Sequence, residues 1–119
     1  MAHLNPNTYA DAKHAAIACG SSGDNTIVAA VAGKRIRILS IFLVATDAVT
    51  VFLKSNATAL IGSNTIRVPL DETGATGPAG FRDGDPIHGI GTGEVGKPIT
   101  LNLSAAENVV GRITYIEVD

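Results

Sequence analysis

An all-β chain folded as an antiparallel β-sandwich of the jelly-roll kind is what this sequence predicts. Three observations carry that reading. Short runs of Val, Ile, Leu and Thr recur at about 8–12 residues, with turn chemistry between them. No stretch shows the apolar period of a helix of normal length. Residues 34–53 alternate instead, with Arg35 and Arg37 against Ile36 and Ile38, then Val49, Val51 and Leu53 against Thr50, Phe52 and Lys54. Such a period of two sends alternate side chains to opposite faces of a strand.

Residues 1–12 read as an N-terminal arm ahead of one sandwich domain at 13–119. Asn5-Pro6-Asn7 breaks regular structure, because proline lacks an N–H and biases its predecessor to extended backbone. Arms of this kind either fray or lie on a partner subunit. The second case makes His3, Leu4, Asn5, Pro6 and Tyr9 candidate contact residues. Residues 13–19, rich in alanine, read as an edge strand. Gly20-Ser21-Ser22-Gly23-Asp24 is a turn cluster. Residues 25–31 form a second strand, and Ala32-Gly33-Lys34 reverses the chain.

The next two strands are expected to pair antiparallel across a short turn at Thr46-Asp47, at the centre of a sheet with one face in a core. From Leu39 to Val44 both faces are apolar except for Ser40, which predicts a second contact with another sheet or another subunit. The run 34–45 would reach about 40 Å if straight, at roughly 3.3 Å per residue. A bulge or bend is therefore expected near Ser40.

Lys54-Ser55-Asn56-Ala57 is another turn, followed by short strands at 58–61 and 65–70 divided by Gly62-Ser63-Asn64. Residues 71–97 are the least regular and are rich in glycine; Pro78, Pro86 and Pro98 forbid a central strand at their positions. Only 86–90 reads there as a partial strand. A loop this long is usually functional or partner-bound, so Phe81, Arg82, Asp83, Asp85 and His88 join the candidate contact residues. Ile99, Leu101 and Leu103 then alternate with Thr100 and Asn102. A final strand spans 109–118, where Gly111 marks a bulge or a close backbone approach. About eight strands result.

Composition narrows the function. A chain of 119 residues with net charge −2 and pI near 5.8 does not suit a surface that holds nucleic acid by neutralising phosphates. Its one basic cluster, Lys34, Arg35 and Arg37, reads as a solvated strand face. Charged residues are only 17% and apolar ones 45%, a balance that suits surface hidden in an oligomer. Cys19 is the only cysteine, so no intrachain disulfide forms, and it reads as a small buried hydrophobe. The first residues lack the basic-then-apolar order of a signal peptide. The longest apolar run, 39–45, is far short of the about 20 residues a membrane helix needs; no membrane partner is expected.

The motifs have bland readings. Gly91-Thr92-Gly93-Glu94-Val95-Gly96 matches G-x-G-x-x-G, but that fingerprint works only between a strand and a helix N-terminus. Here Lys97-Pro98 leads into a strand. Gly74-Ala75-Thr76-Gly77-Pro78-Ala79-Gly80 is too short for collagen and reads as a loop. Arg82-Asp83-Gly84-Asp85-Pro86 resembles a calcium loop without its further ligands and reads as turn chemistry. His3, His14 and His88 are too scattered for a zinc site. No nucleophile–base pattern occurs, so no catalytic residue, metal or cofactor is assigned. A small enzyme or metal domain using Asp83, Asp85 and His88 remains the rival from another class. Aromatic residues total 4%, which weakens sugar and single-strand binding.

Four stretches carry a resemblance: Ser22-Gly23-Asp24-Asn25-Thr26-Ile27-Val28-Ala29-Ala30-Val31-Ala32-Gly33-Lys34-Arg35-Ile36-Arg37-Ile38, Ala48-Val49-Thr50-Val51-Phe52-Leu53-Lys54-Ser55, Leu101-Asn102-Leu103-Ser104-Ala105-Ala106, and Val110-Gly111-Arg112-Ile113-Thr114-Tyr115-Ile116-Glu117-Val118. Together they resemble the small capsid decoration (cement) proteins of tailed phages and prophages. Many of those have an aromatic segment before the Leu-Asn-Leu-Ser strand, where this chain has only Phe81. The resemblance implies a non-enzymatic virion protein, made in the bacterial host cytoplasm. It further implies a homotrimer on the outer capsid surface that braces the major capsid protein. The alternative is a tail or fibre-associated receptor- or glycan-binding module acting through residues 71–97.

Overall fold

The computed structural model describes residues 12–63, 68–70, 81–85 and 88–119. The arm read over 1–12 lies outside them except for Ala12, as does the glycine-rich run 74–80. Ten strands and no helix occur among the described residues: β1 Lys13–Cys19, β2 Gly23–Val28, β3 Arg35–Ala45, β4 Val49–Ser55, β5 Thr58–Ile61, β6 Val68–Leu70, β7 Phe81–Gly84, β8 Gly91–Thr92, β9 Ile99–Leu103 and β10 Val109–Val118.

The first four strands pair with the last six in reverse order, always antiparallel. β1 lies on β10, β2 on β9, β3 on both β7 and β8, and β4 on both β5 and β6. Two further pairings, β10 with β3 and β9 with β4, close two five-stranded sheets. The first sheet runs β1-β10-β3-β7 and the second β2-β9-β4-β5, with β8 and β6 on the flanks of β3 and β4. A doubled chain rolled over itself in this way is a jelly roll, as the sequence predicts.

One expectation is corrected. β3 and β4 are not neighbours in a sheet; they belong to opposite sheets. The chain crosses between them at Thr46-Asp47-Ala48, where the Thr46 N–H donates to the Asn108 carbonyl at 3.0 Å and Asp47 Oδ1 accepts from the Ala48 N–H at 2.8 Å. Alternation reports which side of a strand faces inward, not which strand lies beside it. Val31–Lys34 is likewise a crossing turn, closed by a 3.1 Å bond from Lys34 N–H to Val31 O, with Gly33 at φ 75°. β2 accordingly ends at Val28 rather than at residue 31.

The core is the space between the sheets. Ile36, Ile38, Ile41, Leu43 and Ala45 from β3 meet Val49, Val51 and Leu53 from β4, with Ile99, Leu101 and Leu103 from β9 and Val109 and Ile113 from β10. Cys19 is buried beside them, and that burial pushes its thiol pKa up, as suits a packing residue. The expected irregularity near Ser40 is present: Thr114 faces Ser40 and Tyr115 faces Ile38, leaving Leu39 as an extra residue in β3. This one-residue bulge resets the period, so core residues before and after it point the same way.

Gly111 sits opposite Leu43, where a Cβ would lie 1.7 Å from the Phe42 carbonyl oxygen. It marks a close approach of backbones. Phe81–Gly84, read as loop, is a strand on β3, whereas His88–Ile90 of the expected partial strand are not in one.

Candidate functional site

Of the candidate contact residues, His3, Leu4, Asn5, Pro6 and Tyr9 lie outside the described residues. Asp83 and Asp85 bind backbone amides close to them in sequence. Asp83 Oδ1 accepts from the Gly84 N–H at 2.9 Å, and Asp85 Oδ1 accepts from the His88 N–H at 3.0 Å. The Asp85 carbonyl accepts from Gly89 at 2.8 Å, and its N–H donates to Leu39 O at 2.8 Å. Among the described residues no three His, Cys, Asp or Glu side chains stand close enough to hold a metal. Phe81 is half-buried, opposite Leu43, and packs on the core.

The G-x-G-x-x-G run has no helix after it, and two of its glycine amides are occupied. Gly93 N–H donates to Ile36 O and Gly96 N–H to Lys34 O, each at 2.8 Å. These donors are not available to a phosphate. Within the run, Glu94 ties two distant turns together. Its carboxylate accepts from Thr58 Oγ1 at 2.7 Å, Asn56 Nδ2 at 3.2 Å and the Ala57 N–H at 3.1 Å. Its own N–H donates to the buried Ser55 hydroxyl at 2.9 Å. Asn56 turns the chain there with a φ of 54°.

The Thr58 hydroxyl above all, then the Asn56 amide, holds the Glu94 carboxyl below the usual range. Asn102 and then Lys54 do the same for Asp24, and Lys34 for Asp119. A carboxyl whose pKa is lower in the folded state contributes stability above its unfolded pKa and loses it as pH falls through the folded value. The melting temperature should therefore hold steady down to about pH 5 and drop below about pH 4. Glu94→Gln should flatten that acid limb in a pH series of thermal melts; an unchanged slope would mean the carboxylate does not bind the turn.

The register of the first sheet assembles a surface that no single stretch of sequence shows. On its outer face Ala18, Val110 and Val44 form one cross-strand row. Ala16, Arg112, Phe42 and Arg82 form the next, and His14, Thr114, Ser40 and Gly84 the third. Val110 is 47% exposed. The Arg82 guanidinium stands 4.6 Å from the centre of the Phe42 ring, a stacking cation–π contact. His14 Nδ1 lies 2.8 Å from Thr114 Oγ1. No carboxylate occurs in these three rows. Arg82, chosen as a loop residue, thus belongs to a strand face. Arg112, Val110 and Phe42 were not singled out, although the doubly apolar character of residues 39–44 was the available signal.

On the outer face of the second sheet, charges answer one another. Lys54 Nζ lies 2.9 Å from Asp24 Oδ2, Asn102 Nδ2 donates to Asp24 Oδ1 at 2.6 Å, and Lys54 stands 5.6 Å from the Phe52 ring centre. Phe52, Lys54, Asn56, Ala57, Ala59 and Asn102 line an open groove of about 430 Å³ there.

Compared with known proteins, the chain matches no family model, no curated protein and no solved structure.

Proposed function

We propose that this chain is a non-enzymatic structural protein of a tailed-phage particle, which binds the outer surface of the major capsid shell and braces it as a homo-oligomer, a trimer by the resemblance described above. The observation that carries this reading is the outer face of the first sheet, where apolar side chains and two arginines are presented on a rigid frame. Interface cores favour this mixture of aromatic, aliphatic and arginine side chains. Jelly rolls serve among viral capsid and lectin domains, although a fold does not by itself name a function. The mechanism is mass action: a ligand of the intact shell stabilises it against disruption, and many symmetric copies make weak contacts count.

The test is to add the chain to shells assembled without it. Co-sedimentation and a higher disruption temperature are expected; absence of binding removes the reading. A receptor- or glycan-binding module of a tail or fibre is the second reading, favoured by the groove that sets the Phe52 ring beside the Lys54 and Asn102 side chains. Binding to glycans with no affinity for shells would select it.

A further inference from the structure

Most charged side chains among the described residues are matched within the molecule. Lys13 pairs with Glu117 at 2.5 Å, Lys34 with Asp119, and Lys54 with Asp24. Arg35 bonds the Gly93 carbonyl, Arg37 the Thr92 hydroxyl, and Glu94 the Asn56–Thr58 turn. Arg82 and Arg112 stand apart: both are exposed, and among the described residues neither forms an ion pair. Among the described residues Asp47 and Glu107 also lack one. These two acids sit at one end of the sandwich, in the β3–β4 and β9–β10 connections that the Thr46 N–H to Asn108 carbonyl bond holds together. The opposite end, where Gly96 meets Lys34, carries Lys97.

The face with the arginines does not suit a two-fold contact with itself. An isologous pairing would set Arg82 and Arg112 of one copy against the same residues of another, and like charges across an interface are costly. The partner it fits is apolar-tolerant and acidic. The acidic end of another copy supplies that chemistry, and the resulting contact is heterologous, joining different patches on the two subunits.

We infer that copies of this chain associate head to tail, the Arg82–Phe42–Arg112 row of one seated against the Asp47 and Glu107 end of the next, with Val110 and Val44 buried beside it. This rests on the oligomeric part of the function proposed above and names its surfaces. Salt must weaken such a contact, because both patches are charged and peripheral to the fold.

Sedimentation equilibrium of the full chain at about 50 mM and about 500 mM salt tests it. Wild type should associate, more tightly at low salt. Arg112→Glu alone and Glu107→Arg alone should each raise the dissociation constant at least about tenfold, and the two together should restore it. Lys97→Glu, at the far end, should change nothing. Thermal melts of each variant separate lost association from lost folding; should Arg112→Glu melt early, Arg112→Gln and Glu107→Arg carry the test. A monomeric wild type, a charge-reversed variant that folds and associates normally, or a double variant that fails to recover would each overturn the inference. Shell binding by a monomer would remove this contact and the oligomeric part of the proposed function, and keep its shell-binding part. Association that follows the charge swaps without shell binding would do the reverse.

Discussion

Gly111→Ala should prevent folding or cost at least about 3 kcal/mol, because overpacking is felt most where backbone must yield. The added methyl would lie 1.7 Å from the Phe42 carbonyl oxygen and 3.2 Å from the Leu43 Cα. Neither atom can swing aside as a side-chain tip does. Relief requires separating β10 from β3, the two inner strands of the first sheet. Gly84→Ala is the natural contrast: its methyl would meet the Ser40 Cβ at 3.2 Å, on the edge strand β7, where a small shift suffices. Urea unfolding of both variants checks this. A Gly111→Ala protein with the wild-type midpoint would show that the strands do not approach as closely as described.

Leu101→Ala should destabilise by about 2–5 kcal/mol, the range for emptying a leucine-sized space in a packed core. Leu101 is fully buried in β9, facing Asn25 of β2 and Leu53 of β4 across the second sheet, and the first sheet covers it. Removing its side chain takes away buried apolar surface and leaves a cavity that two flanking strands hold open. Val110→Ala, a smaller truncation on the outer face, should change the stability of the dissociated chain, unfolded at about 500 mM salt, by less than about 0.5 kcal/mol. Equal midpoint shifts in urea for the two variants would contradict the assignment of inner and outer faces.

What could be read from sequence was local. The limits of β9 and β10, the bulge beside Ser40 and the close approach at Gly111 all follow from the spacing of apolar residues, because a period of two and a misplaced glycine are visible within a few positions. Partner choice was not visible. β3 and β4 carry complementary apolar sides, and that pattern suits neighbours in one sheet as well as opposing strands of two. β7 escaped notice because Phe81-Arg82-Asp83-Gly84 has one apolar side chain; pairing with residues 40–43 makes it a strand, not its own composition. The candidate surface was hidden for the same reason. Its arginines and valines come from strands remote in the chain, and only register lines them up. Glu94 lay inside a misleading glycine motif, while its bonds reach Asn56 and Thr58, 38 and 36 residues earlier.

The tenth strand occupies the middle of its sheet, between β1 and β3. During translation the nascent chain therefore exposes both neighbours before the piece that joins them has been made. Those open margins are sites where unfinished molecules can stick to one another. Assembly dominated by such distant pairings is slow among small domains. Deleting Val109–Val118 would remove the centre of a sheet rather than trim its margin.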